Sequence, residues 1–363
     1  MSTIPFPTVF EVIRFIATRF DTKASYKQLD DLSRDVFADY RQIVPMLQSV
    51  VIDPLAKYVS PGFAQELGAQ LHNLFEVYLE LVSLKSVDGL KREQILPVLM
   101  PNWFVPNALK ALNTTLSNLS GMPSAFLLLG NNQRAVENVL VWVKENIEGW
   151  VAFIAGLPKE KKDQLANWSK GKYLPDLQSL NLLIAEGVNH GIERKDGTRL
   201  MGLLVLARAI DSLRSMPLGE TAIEEARQQL MGASPIGNLS SLFKSFQEDA
   251  RLQVKPLWSH LGYLSNHLRR TVLKSVGVQQ ESRHCLDDFT RGLKGLGEYQ
   301  GSKHKVEQFE GRWHVFSGDL KGACRHYDQA LEAALYRAGN DLGDIVSEAF
   351  CVAAKANDSV LMR

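Results

Sequence analysis

The chain has 363 residues, 45% of them apolar and 22% charged, with a formal net charge of +1. That length exceeds one typical domain and suffices for a sizeable core. A near-neutral balance argues against broad electrostatic capture of nucleic acid or acidic membrane and leaves local basic patches as the exception.

The N-terminal Met1–Pro7 lacks the basic start and continuous apolar core of a signal peptide. The longest apolar runs, Phe126–Leu129 and Met201–Ala207, fall far short of the ~20 residues a membrane span needs. Three widely spaced cysteines, Cys285, Cys324 and Cys351, form no Cys-x-x-Cys pair, so they offer neither a disulfide framework nor a zinc clip. These features predict a cytoplasmic protein without a membrane partner.

Helical periodicity runs through most of the chain. Ser25-Tyr-Lys-Gln28 reads as a capping box, a hydroxyl and an amide exchanging bonds with the first-turn backbone. After it Leu29, Leu32, Val36, Tyr40, Ile43 and Leu47 recur at three- and four-residue steps, as do Phe63, Leu67, Leu71, Leu74, Tyr78 and Leu81 further on. Pro45, Pro54 and Pro61 mark bends or ends, since proline lacks the amide donor of a helix interior. Pro97, Pro101, Pro106 and Pro123 with Gly121 place a first seam at 97–123, and Gly232–Gly237 a second. No convincing strand alternation occurs; Ser124–Leu129 is too short to build a sheet. The expectation is an all-α, multi-helical bundle or helical-repeat-like architecture with no substantial sheet, in three units: 1–120, 121–235 and 236–363.

In the middle unit, Trp168, Gly171, Pro175, Leu177 and Leu180 carry a distinctive spacing. Trp168 would plug a small core, Gly171 close one helix in a left-handed conformation, and Pro175 open the next. The segment 154–183 resembles the second half of a phage-repressor-type helix-turn-helix domain. The resemblance implies that Lys161, Lys162, Gln164, Asn167, Lys170 and Lys172 contact DNA, lysines on phosphates and Gln164 or Asn167 on an adenine edge. The first half departs from that family: Pro158 and Glu160 stand where apolar residues belong, and Lys159 replaces the turn glycine.

Further on, His267, Arg269, Arg270 and Lys274 form a basic cluster on a helix predicted over 256–276, with Pro256 in its first turn. His284-Cys285 with Asp287 and Asp288 is the densest titratable group, yet neighbours on a helix point in different directions. His260 and His267 share a helix face without a third ligand at metal spacing. The Arg-to-His spacing of HEPN-type ribonucleases, the phosphate-cradling Gly-x-x-x-x-Gly-Lys-Ser/Thr, Gly-x-Ser-x-Gly and His-Glu-x-x-His are absent. Gly295-Leu-Gly297-Glu-Tyr-Gln-Gly301 reads as a turn between helices. No catalytic residue, cofactor or metal ligand is assigned.

The most informative stretch is Gly311–Ala334, a helix, a Ser317-Gly318-Asp319 turn and a second helix. Gly311, Gly318, Ala323, Tyr327 and Ala330 place two glycines, a small residue, an aromatic and a second small residue at the spacing of a tetratricopeptide unit, which the hairpin resembles. Glu307, Glu310 and His314 depart from the family's first helix, whose apolar stripe becomes Val306, Phe309, Trp313 and Phe316. A 34-residue step finds no second copy. The resemblance implies a groove for a protein partner. The expected function is therefore a non-enzymatic helical interaction or adaptor protein, with a DNA-binding regulator as the alternative and a homo-oligomer among its assemblies.

Overall fold

Every regular element is helical in the structure, a computed structural model that describes residues 4–22, 42–130, 134–230, 276–358 and 360–362, with 243, 244, 247, 248, 252 and 257; no strand occurs among them. In chain order these are α1 (Val9–Phe20), α2 (Ile43–Leu47), α3 (Asp53–Ala56), α4 (Pro61–Leu84), α5 (Arg92–Leu99), α6 (Val105–Ser117), α7 (Ala135–Asn146) and α8 (Trp150–Gly156). They continue as α9 (Lys159–Ser169), α10 (Leu177–Asn189), α11 (Arg194–Arg214), α12 (Gly219–Leu230), α13 (Val276–Gly295), α14 (Tyr299–Ser317), α15 (Leu320–Ala334) and α16 (Asp341–Ala356). No described helix is long and apolar enough to cross a membrane. The Ser25–Gln28 box, the stripe from Leu29 to Tyr40, the 232–237 seam and the histidines and basic residues of 260–274 with Pro256 lie outside the described residues.

A boundary between compact units falls at 98/99, inside the proline-rich stretch 97–123, and regular α-helix ends within that stretch at Ser117. Arg92 through Ser117 is continuously helical, with a wider π-helical turn over Met100–Phe104 joining α5 to α6. Pro101 and Pro106 sit in the first turns of the π segment and of α6, where the change of hydrogen-bond register accommodates a residue without a donor. A second π turn, Gln48–Ile52, links α2 to α3 ahead of Pro54 in the same way. Pro61 does open a helix, α4.

The chain forms two compact units, each assembled from separated stretches: residues 9–77 with 99–237, and residues 1–8 with 78–98 and 238–363. The first is organised around α11. Every residue from Leu200 to Leu213 in that helix is buried, which is what a helix apolar on all sides requires. Of its three polar residues, Arg208, Asp211 and Ser212, the two charged ones are tied down by other elements. Asp211 accepts from the amides of Ala135 (2.8 Å) and Val136 (3.1 Å) and so caps α7 from another helix. Arg208 donates from Nε to the carbonyl of Pro175 (2.7 Å) and from its other nitrogens reaches the carbonyl of Arg19 and, at 3.5 Å, Asp21.

In the second unit α13, α14, α15 and α16 pack each on the next. Leu286, Phe289, Leu293 and Val306 form the core between α13 and α14, with Phe309, Trp313 and Phe316 against it. Ala323, Tyr327, Ala330, Ala334, Ile345, Ala349 and Val352 form the core between α15 and α16.

Candidate functional site

The α14–α15 hairpin follows the sequence closely. Gly318 ends α14 with φ +86°, a conformation glycine adopts without cost. Asp319 then caps α15 by accepting from the Gly322 amide at 2.9 Å. Ala323 and Ala330 are fully buried, and a Cβ added at Gly311 would stand 2.8 Å from the Tyr327 ring. The Tyr327 ring therefore packs directly on the Gly311 backbone, Ala323, Tyr327 and Ala330 share one core cluster, and Gly318 stands apart from them in the turn.

That close approach buries polar groups. α14 presents Val306, Phe309, Trp313 and Phe316 to α13 and keeps Glu307, Gly311 and His314 for the other face, with Glu310 on the flank within reach of α13. Glu307 and Glu310 are both buried. Glu307 Oε2 lies 2.8 Å from His326 Nδ1 of α15, and its other oxygen accepts a long bond, 3.5 Å, from the Tyr299 hydroxyl. Glu310 is gripped by Arg283 of α13, which also donates from Nε to Asp287 (2.9 Å) and stacks over Trp313. His314 Nδ1 lies 2.9 Å from Asp319 Oδ2, and the His314 and His326 rings stack with centroids 4.8 Å apart and planes 23° apart. The Gly322 amide, outweighing a small burial effect and helped by His314, holds the Asp319 carboxyl below the usual range. Burial and the neighbouring Glu307 push the Tyr299 phenol up.

A second polar knot ties α14, α15 and α16. Glu348 accepts from Arg312 Nε (2.9 Å), from the Tyr327 hydroxyl (2.9 Å) and from Gln308 (3.2 Å). Burial raises the Glu348 carboxyl, but these donors lower it further, so it stays below its ordinary value.

Sequence reasoning assigned no metal ligand, yet Glu310, His314 and His326 bring one donor atom each to within 4.8 Å of the others. Part of the signal was legible: Glu310 and His314 are four apart on one helix. His326 joins them only because the hairpin folds α15 back on α14. The cluster at 284–288, in contrast, disperses. His284 is exposed, Asp287 pairs with Arg283, Asp288 pairs with Arg291, and burial pushes the Cys285 thiol up. Gly297 (φ +71°) makes the expected turn before α14, whereas Gly301 lies inside α14, where an added Cβ would meet the Gly89 backbone at 3.1 Å.

In the other unit, the segment resembling a helix-turn-helix forms α9 and α10. Trp168 is buried and Gly171 is left-handed (φ +62°), as expected. Pro175 does not open α10: Asp176 is its N-cap, accepting from the Ser179 amide at 2.9 Å, and the helix begins at Leu177. Pro175 is instead buried with its carbonyl held by Arg208. Lys161 pairs with Glu186, and Lys162 donates to the carbonyl of Ala155 at 2.7 Å. Gln164 and Asn167 are half-buried, while Lys162, Lys170 and Lys172 are exposed. No family model matches this chain, and no curated protein or solved structure matches it either.

Proposed function

We propose that this chain is a non-enzymatic helical interaction protein that binds a protein partner through the open face of α16. The observation that carries this reading is a row of small and apolar residues left in solvent. α16 turns Ile345, Ala349, Val352 and Ala353 inward and leaves Gly343, Val346, Phe350 and Ala354 outside at helical spacing. Val346 is 49% exposed and Phe350 56%. A Cβ at Gly343 would meet nothing within 4 Å. Small residues beside a protruding aromatic suit the ridge of another helix. Exposed Asp341 and Asp344 at the start of α16 favour basic residues on that helix. The occupant is therefore an amphipathic helix of a partner protein with a basic end.

Affinity capture with the full chain, compared with Val346→Glu and Phe350→Glu, tests this. One protein should be retained by the wild type, bind it directly when purified, and lose at least tenfold in affinity with either variant. Sedimentation of the chain alone adds a second arm: a dimer abolished by Phe350→Glu would assign the face to self-association and overturn the partner reading. So would binding unchanged by both substitutions.

A second reading, DNA binding through α9 and its following turn, is favoured by the exposure of Lys162, Lys170 and Lys172. Duplex binding should then weaken steeply with salt, and Lys162→Glu with Lys170→Glu should flatten that slope by about two. An unchanged slope in filter-binding or anisotropy titrations rejects it.

A further inference from the structure

We propose that Glu310, His314 and His326 form a binding site for a divalent transition-metal ion of the zinc class, an assignment independent of the partner-binding role of α16. Two imidazole nitrogens and one carboxylate oxygen, all within 4.8 Å of one another, are the donor set such ions take while leaving a position for water or substrate. Calcium and magnesium prefer oxygen alone.

The surroundings fit the assignment in three ways. Each imidazole has its Nδ1 against a carboxylate, His314 on Asp319 (2.9 Å) and His326 on Glu307 (2.8 Å). Nε2 of each ring is thus the nitrogen left for a ligand role, and carboxylates on the opposite nitrogen are the usual means of fixing ring tautomer and orientation at such a centre. Room for the His314–Asp319 pair depends on Gly322, where a Cβ would stand 2.5 Å from His314 Nδ1 and 2.2 Å from Asp319 Oδ2. Finally, the site is lined but not sealed: Glu310 is 12% exposed, His314 17% and His326 19%, so an ion has a path in.

Arg283 contacts both oxygens of Glu310, but each carboxylate oxygen has a second lone pair, so an ion adds to the arginine pair without replacing it. Tetrahedral ligands about 2.1 Å from zinc lie roughly 3.4 Å apart. Donor atoms within 4.8 Å of one another close to that spacing by side-chain rotation, with the helix backbones held by the Gly311–Tyr327 contact. The ion would staple α14 to α15.

Cobalt(II) is the probe, added to the full chain. One equivalent should bind, with visible ligand-field absorption, no thiolate charge-transfer band, displacement by zinc and a rise in Tm. His314→Ala and His326→Ala should each abolish the spectrum. Glu307→Gln, which leaves all three donors in place, should weaken binding about 10–100-fold, and the exposed-histidine variant His284→Ala should leave it unchanged. Helical circular dichroism establishes that each variant is folded, and a variant that unfolds is replaced by His314→Gln or His326→Gln, with the same expected loss. Failure of the wild type to bind, a thiolate band, or binding undiminished by both histidine substitutions overturns the assignment.

Discussion

Asp88 shows how one carboxylate in a buried setting keeps its charge. It lies between α4 and α5 with Lys305 Nζ at 2.5 Å from Oδ2 and His304 Nε2 at 3.0 Å from Oδ1, the latter out of line for a hydrogen bond. Burial works to raise its carboxyl, but His304 and Lys305 act against burial more strongly and hold it far below the usual range. The sign of the pH effect follows. Below about pH 3.9 the unfolded carboxyl takes up a proton while the folded one resists, so stability is lost progressively as pH falls through that window and is fully present above it. Asp88→Asn removes the charge opposite a fully buried histidine and should cost about 3 kcal/mol at pH 7, the order measured for breaking buried pairs. Urea unfolding of wild type and variant should show that gap shrinking steadily below pH 4. A gap independent of pH would mean that the carboxylate charge is not what Asp88 contributes.

At the scale of helices, legibility divides by how local the cause is. The Gly318-Asp319 turn was readable because its φ and its cap are set by adjacent residues. The same holds for Gly171, left-handed just after α9. Pro175 misled because the choice between proline and aspartate at the head of α10 is settled by Asp176, which engages both the amide and the hydroxyl of Ser179, and by Arg208 from α11, 33 residues away. α14 is the instructive case. Its apolar stripe was correct, yet Glu307, Glu310 and His314 read only as departures from a repeat. Their meaning depends on Arg283 and His326, which belong to the helices on either side. Periodicity reports which face is apolar. It carries no information on which charged groups will meet across the other face.

At the scale of the molecule, the least legible feature is that units are not runs of sequence. Residues 78–98 belong with 238–363, and the contacts that join them, such as Leu90 with Arg337 and Asp88 with His304, span more than 200 positions without any local signature. Arg337, in the link between α15 and α16, makes the most direct of these. It is 5% exposed, and burial, opposed by Asp88, lowers its guanidinium to about 10. Its Nη1 donates to the carbonyl of Leu90 at 3.0 Å and more weakly to that of Gly301 at 3.4 Å, while its own carbonyl accepts from the Val87 amide at 2.8 Å. A charged donor to a buried carbonyl contributes about 1.5–3 kcal/mol, and deleting it also strands the acceptor. Arg337→Ala should therefore loosen residues 85–90 first, although they lie far away in sequence. Hydrogen exchange should show peptides covering 85–91 losing protection by roughly ten- to a hundredfold, with α11 as the unaffected internal reference, since its amides answer to a different core. Equal acceleration in α11 would show instead that Arg337 supports the whole chain, and no change at 85–91 would show that backbone pairing of Val87 with Arg337 holds the segment without the side chain.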